Sequence, residues 1–160
     1  VVPQEFLQRV RSHVGKTGAR ASLVPQPALA SFMQSGDYAM HLRRMRRIYG
    51  ARQRHLLAAL APVSDLLELQ ADPSGMHLCI PLRPRLAELM TDTTISSLAE
   101  EAGLCVDALS SHSVLPNGPN GLLFGYAGFD EEVLTEAALS FIHMLRTAVR
   151  DKSSHSHQKR

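Results

Sequence analysis

A chain of 160 residues with 44% hydrophobic content can bury one respectable core, so one principal domain is expected. Its formal charge of +2 removes any general case for a nucleic-acid binder, and its two cysteines, Cys79 and Cys105, stand too far apart for a CxxC site or a disulfide-dense scaffold. No secretion signal precedes Phe6, and the longest uncharged run, Ala108–Phe129, is broken by Pro116 and Pro119, so a cytoplasmic protein without a membrane partner is expected.

In chain order, Pro3–Val14 reads as a helix with Phe6, Leu7 and Val10 on one side, Pro3 at its start and Gly15 and Gly18 ending it. Lys16–Gln26 reads as irregular, and Pro27–Gln34 as a helix stopped by Gly36. A long helix follows, running to about Leu60 ahead of Pro62, Ser64 and Asp65. Leu42, Met45, Tyr49, Leu56 and Leu60 recur on it at helical spacing, with Ile48 and Leu57 beside them, so it packs on something. The rest of its circumference holds Arg43, Arg44, Arg46, Arg47, Arg52 and Arg54, and no acidic residue lies between Tyr38 and Ser64 to pair with them. That face needs phosphate, the carboxylates of a neighbouring domain or dimer mate, or water. The wide apolar side and the lack of a DNA-reading module favour the protein partner.

Beyond Leu60 the period becomes strand-like. Leu66–Gln70 and Met76–Leu82 read as a hairpin around the turn residues 71–75. Asp92 or Thr93 is expected to cap a helix carrying Ile95, Leu98, Ala99 and Ala102 that stops at Gly103. Leu104–Ser110 reads as a third strand and Leu122–Ala127 as a fourth, after a loop rich in proline, asparagine and glycine. Asp130 then caps a helix whose buried stripe is Leu134, Ala138, Phe141, Leu145 and Ala148, with Arg146 and Arg150 toward its end. Residues 151–160 hold too little apolar content to fold and are expected to be disordered. The fold class is therefore α+β: a small, mainly antiparallel sheet covered by helices on one face and preceded by a long arginine-rich helix.

One stretch is specific. Ala28-Leu29-Ala30, Phe32, Gly36, the run His41–Arg46, Tyr49, Arg54, Leu56-Leu57 and Ala59-Leu60 match, without a gap, the linker and first small-domain helix of MocR-type regulators of the GntR family. Val1-Val2-Pro3, the strand Ser74-Gly75-Met76-His77-Leu78, and Gly121–Ala127 followed by the Asp130 helix resemble further motifs of that family, in its order. The resemblance implies the small domain of a pyridoxal-phosphate, fold type I, aminotransferase-like effector domain. It implies that 1–35 are linker helices from a missing large domain, 36–150 the small domain and 151–160 a tail. It also implies a homodimer, DNA contact through a separate N-terminal winged helix, and pyridoxal 5'-phosphate in the parent protein. The family's Schiff-base lysine, pyridine-pairing aspartate and main phosphate contacts lie upstream of Val1. Lys16, Lys152 and Lys159 lack the context of that lysine, so no cofactor-binding or catalytic residue is assigned within this chain, and no cofactor is expected for it alone.

Four residues are candidates for the edge of the effector pocket. Arg20 and Ser22 lie in the irregular stretch that the resemblance puts near the dimer mate's cofactor site. His77 lies in a strand and is a titratable candidate. Leu123 stands where fold type I aminotransferases carry an arginine for the substrate carboxylate, a departure that argues against ordinary transamination. No spacing of His, Cys, Asp or Glu matches a metal site. Two other readings stay open: the small domain of a true pyridoxal-phosphate aminotransferase, and a stand-alone α+β domain binding RNA or DNA through the Arg43–Arg54 helix.

Overall fold

A computed structural model of the chain describes residues 2–18, 22–72, 75–114 and 118–157. The chain divides into two compact units, Val1–Arg44 and Met45–Arg160. The division falls inside a helix.

In the first unit a 3-10 turn, Gln4–Phe6, leads into helix α1, Leu7–Thr17. The helix passes through Gly15 and stops at Gly18, which adopts the left-handed conformation (φ 67°) and returns its N–H to the Val14 carbonyl. A glycine inside a helix costs only about 1 kcal/mol against alanine, so Gly15 weakens α1 without ending it. Helix α2, Gln26–Gln34, carries Pro27 in its first turn, and Gly36 (φ 85°) separates it from α3, Asp37–Leu60. Around that corner Ser35 donates to Asp37 Oδ2 at 2.7 Å, and the rings of Phe32 and Tyr38 meet edge to face at 5.9 Å. No residue of α1 or α2 is buried: Phe6, Leu29, Phe32 and Met33 all face outward.

The second unit holds the core. Of the apolar positions that the helical period assigns to α3, Leu56 and Leu60 are buried, while Leu42, Met45 and Tyr49 are half-covered. Three strands, β1 (His77–Pro81), β2 (Val106–Ala108) and β3 (Gly121–Gly125), form an antiparallel sheet in the order β1-β3-β2. Leu78, Ile80, Val106, Leu122 and Phe124 point to one side and join α3, α5 (Asp92–Glu101) and α6 (Glu131–His157) in a single cluster with Ile95, Phe141 and Leu145. Gly121 faces Pro81 in the register, and a Cβ there would stand 2.8 Å from the Ile80 carbonyl oxygen; only glycine lets β1 and β3 close at this end.

Several expectations are corrected. The sheet has three strands among the described residues, not four. The run Leu66–Gln70 contributes one bridge, Leu67 to Leu82, flanked by bonds from Glu68 N–H to the Pro81 carbonyl and from Arg83 N–H to the Leu66 carbonyl. The cause is a 3-10 turn at Ala61–Val63 that sends both Leu66 and Leu67 into the core, so adjacent side chains are buried where a strand must alternate. A short helix, α4 (Pro84–Leu89), opens on a proline in its first turn and was not expected. The cap of α5 is Thr91, whose hydroxyl accepts from Thr94 N–H, rather than Asp92 or Thr93. Leu104–Ser110 narrows to β2 followed by a 3-10 turn at Leu109–His112. Residues 151–157, expected to be disordered, continue α6. Asp130 does cap α6, accepting from Val133 N–H at 3.0 Å. Arg146, well inside this longer helix, forks onto Asp65 at 2.7 and 2.9 Å and clamps the turn after α3. That hydrogen-bonded guanidinium holds the Asp65 carboxyl below its ordinary range. Among the described residues no helix is long and apolar enough to cross a membrane.

Candidate functional site

Pleating gives the sheet a second face, turned away from the core. The antiparallel register sets Leu123, at the middle of β3, between Cys79 of β1 and Asp107 of β2. Cys79 and Asp107 are exposed and Leu123 is half-buried. His77 pairs with Gly125, and its ring lies 3.6 Å from where a Cβ on that glycine would stand. The face is therefore an aliphatic centre ringed by an imidazole, a thiol and a carboxylate, with a bare glycine giving access to the backbone.

Both ends of β3 are fixed by buried polar groups, which holds Leu123 in place. At the start, Asp92 is almost fully buried and accepts from Ser110 N–H (2.9 Å), Ser110 Oγ (2.7 Å), Thr93 N–H (2.8 Å) and Gly121 N–H (3.1 Å). Burial opposes its charge, but these donors from Ser110, Gly121 and Thr93 prevail, and its carboxyl sits below the ordinary range. Beyond the other end, buried Gln53 of α3 donates to the Asp72 carbonyl at 2.7 Å and to Tyr126 Oη at 3.0 Å. Tyr126 in turn donates to the Gly75 carbonyl at 3.1 Å. Nearby, Arg52 donates to the Ala127 carbonyl, and His55 shares a hydrogen bond with Thr135 at 2.8 Å. The arginine helix thus spends one of its guanidiniums on the backbone after β3. Arg43, Arg44, Arg46, Arg47 and Arg54 remain exposed.

The sheet brings two of the four sequence candidates, His77 and Leu123, onto one face. Ser22 is exposed in the first unit, where its carbonyl accepts from Gln26 Nε2. Arg20 lies outside the described residues. Cys79 and Asp107 were missed as neighbours of Leu123: strand alternation marks each as outward, but only the register joins them. Among the described residues no group of three or more His, Cys, Asp or Glu side chains is placed to hold a metal. Nor do the residues of this chain fit a pyridoxal-phosphate site. Lys16 and Lys152 are exposed on helices, and Lys159 lies outside the described residues.

No family model matches the chain. Curated relatives do. The chain is 32% identical over 149 residues, 92% of its length, to the probable rhizopine catabolism regulatory protein MocR of Rhizobium meliloti. It is 31% identical over 75% of its length to the HTH-type pyridoxine biosynthesis transcriptional regulator PdxR of Corynebacterium glutamicum. It is 26% identical over 82% of its length to the uncharacterized HTH-type transcriptional regulator YhdI of Bacillus subtilis. It spans 29%, 25% and 28% of these proteins respectively. The helix-covered sheet with one open face is thus a module recurring within a class of HTH-type regulators. The chain belongs to the MocR-type regulators of the GntR family.

Proposed function

We propose that this chain is the part of an aminotransferase-like effector domain that closes over the effector with its open sheet face and helps to form the regulator's homodimer. The observation that carries this reading is the contrast between the two sides of the sheet. One is sealed by helices, while the other offers Leu123, His77, Cys79 and Asp107 to whatever lies opposite. In the whole protein, pyridoxal 5'-phosphate would be held by residues outside this chain, and DNA would be bound in the cytoplasm by a separate HTH domain. The relatives' names support that reading, one as a regulator of pyridoxine biosynthesis. The outward apolar residues of α1 and α2 would pack on the aminotransferase-like body. Leu123 favours a regulator over a transaminase, because an aliphatic side chain offers no fork to a substrate carboxylate.

The test is borohydride reduction of the 160-residue chain after incubation with pyridoxal 5'-phosphate, followed by peptide mapping. The expected result is scattered, substoichiometric labelling. A stoichiometric pyridoxyl group at one of Lys16, Lys152 or Lys159 would overturn the assignment of the cofactor to residues elsewhere.

A further inference from the structure

A recess lined mostly by core side chains of the second unit lies apart from Leu123 and Cys79. It enters between the C-terminal end of α5 and the first turns of α6, and encloses about 280 Å³. Its floor is Leu56, Val106, Phe124, Leu134, Ala138 and Phe141, each at most 7% exposed, so it is a hollow in the packed core rather than a fold of a loop. Two of these, Phe124 and Phe141, meet edge to face at 5.2 Å. Gly103 and Gly125 line its mouth and Ala137 its wall. Phe129 and Val133 form a half-exposed apolar rim beside the thiol of Cys105.

We infer that this recess is a binding site for a small, uncharged, aromatic molecule. Three observations set the class. Among the described residues no Asp, Glu, Lys, Arg or His lines it, so a charged group would enter without a partner and lose its hydration. An apolar cavity of about 150 Å³ accepts benzene, so one near twice that size has room for a fused two-ring compound. The aromatic floor offers ring edges and faces to a flat ligand. A polypeptide segment would need a groove with somewhere for its backbone to run on, whereas this hollow is closed beneath by core side chains. The site makes no use of His77, Leu123 or any cofactor, and shares with the effector face only Gly125.

Indole serves as the probe, because it is flat, uncharged and of this size. Titration followed by NMR should give one site with a dissociation constant on the order of 1 mM or tighter. Shifts should centre on Phe129, Val133 and Ala137. At twice that constant, alkylation of Cys105 by a thiol reagent should slow about threefold by mass action, while Cys79, which does not line the recess, reacts as before. Ala137→Phe, which fills the hollow, should abolish both effects; Val133→Trp, which caps the mouth from an exposed position, should do the same if the first variant fails to fold. No saturable binding, equal slowing of both cysteines, or protection that survives in the folded variants would overturn the inference.

Discussion

The side-chain amide of Gln53 reaches from the middle of α3 to the hydroxyl of Tyr126, 73 positions later, and both residues are buried. Because the same amide also holds the Asp72 carbonyl and the hydroxyl holds that of Gly75, one helix secures the entry to β1 and the exit from β3 together. Tyr126→Phe leaves the Gly75 carbonyl and part of the Gln53 amide without partners and is expected to cost about 1–3 kcal/mol. Urea unfolding of the two proteins, compared at equal m-value, measures it. A loss within error would mean that water replaces the hydroxyl.

Asp92 makes the acid limb of the stability curve. Its folded carboxyl sits below the ordinary aspartate value, so the stabilisation it gives is complete above that value and is lost as pH falls through the lower folded one. In this window the unfolded chain binds the extra proton, so stability rises with pH. Asp92→Ala strands the donors of Ser110, Thr93 and Gly121 and should cost about 2–4 kcal/mol near neutrality. The gap between variant and parent should narrow on acidification below that range. A gap independent of pH from neutrality down would refute the electrostatic part.

Leu123 is half-buried on the open face, so Leu123→Arg should change the stability of the chain by less than about 1 kcal/mol, its long stem lying along the sheet. In the intact regulator the new guanidinium should strengthen binding of a carboxylate-bearing amine. Calorimetry with an amino acid and with its decarboxylated amine separates the two contributions. Equal response to both ligands would count against Leu123 facing the effector.

The first unit should make the isolated chain self-associate. Phe6, Leu29, Phe32 and Met33 are outward apolar residues with no buried neighbour on their own helices. Sedimentation across a concentration series should show reversible association, and Phe32→Ser together with Leu29→Ser should weaken it. A parent chain that stays monomeric at every concentration would remove the argument that these faces need covering.

How far the sequence revealed this molecule depends on the range of the signal. Gly18, Gly36 and Gly103 all take positive φ where helices were expected to end, and Asp130 caps α6 as read, because backbone conformation and caps are written within four residues. Leu66 and Leu67 defeated the strand reading because their burial is decided by the turn before them and by Leu82, beyond any local window. Thr91 and Asp92 exchanged roles for a similar reason. Either can cap a helix, and only the distant Ser110 and Gly121 donors draw the aspartate inward. The site followed the same rule. His77 and Leu123 were marked by the motifs around them, whereas Cys79 and Asp107 joined them only when the register was known, and the hollow beside Cys105 has no sequence signature.

The short β2 and the bridge at Leu67 bear on how this chain behaves when crowded. A three-stranded sheet has two free edges, each a template for another strand. Here the end of β1 at Pro81 is taken by the N–H of Glu68, and β2 offers three residues before the turn at Leu109 ends it. The β2 edge gives an incoming strand too little continuous backbone to grow on. Pairing of copies through the β2 edge is thereby disfavoured, and the association expected of this chain should be a reversible meeting of helices.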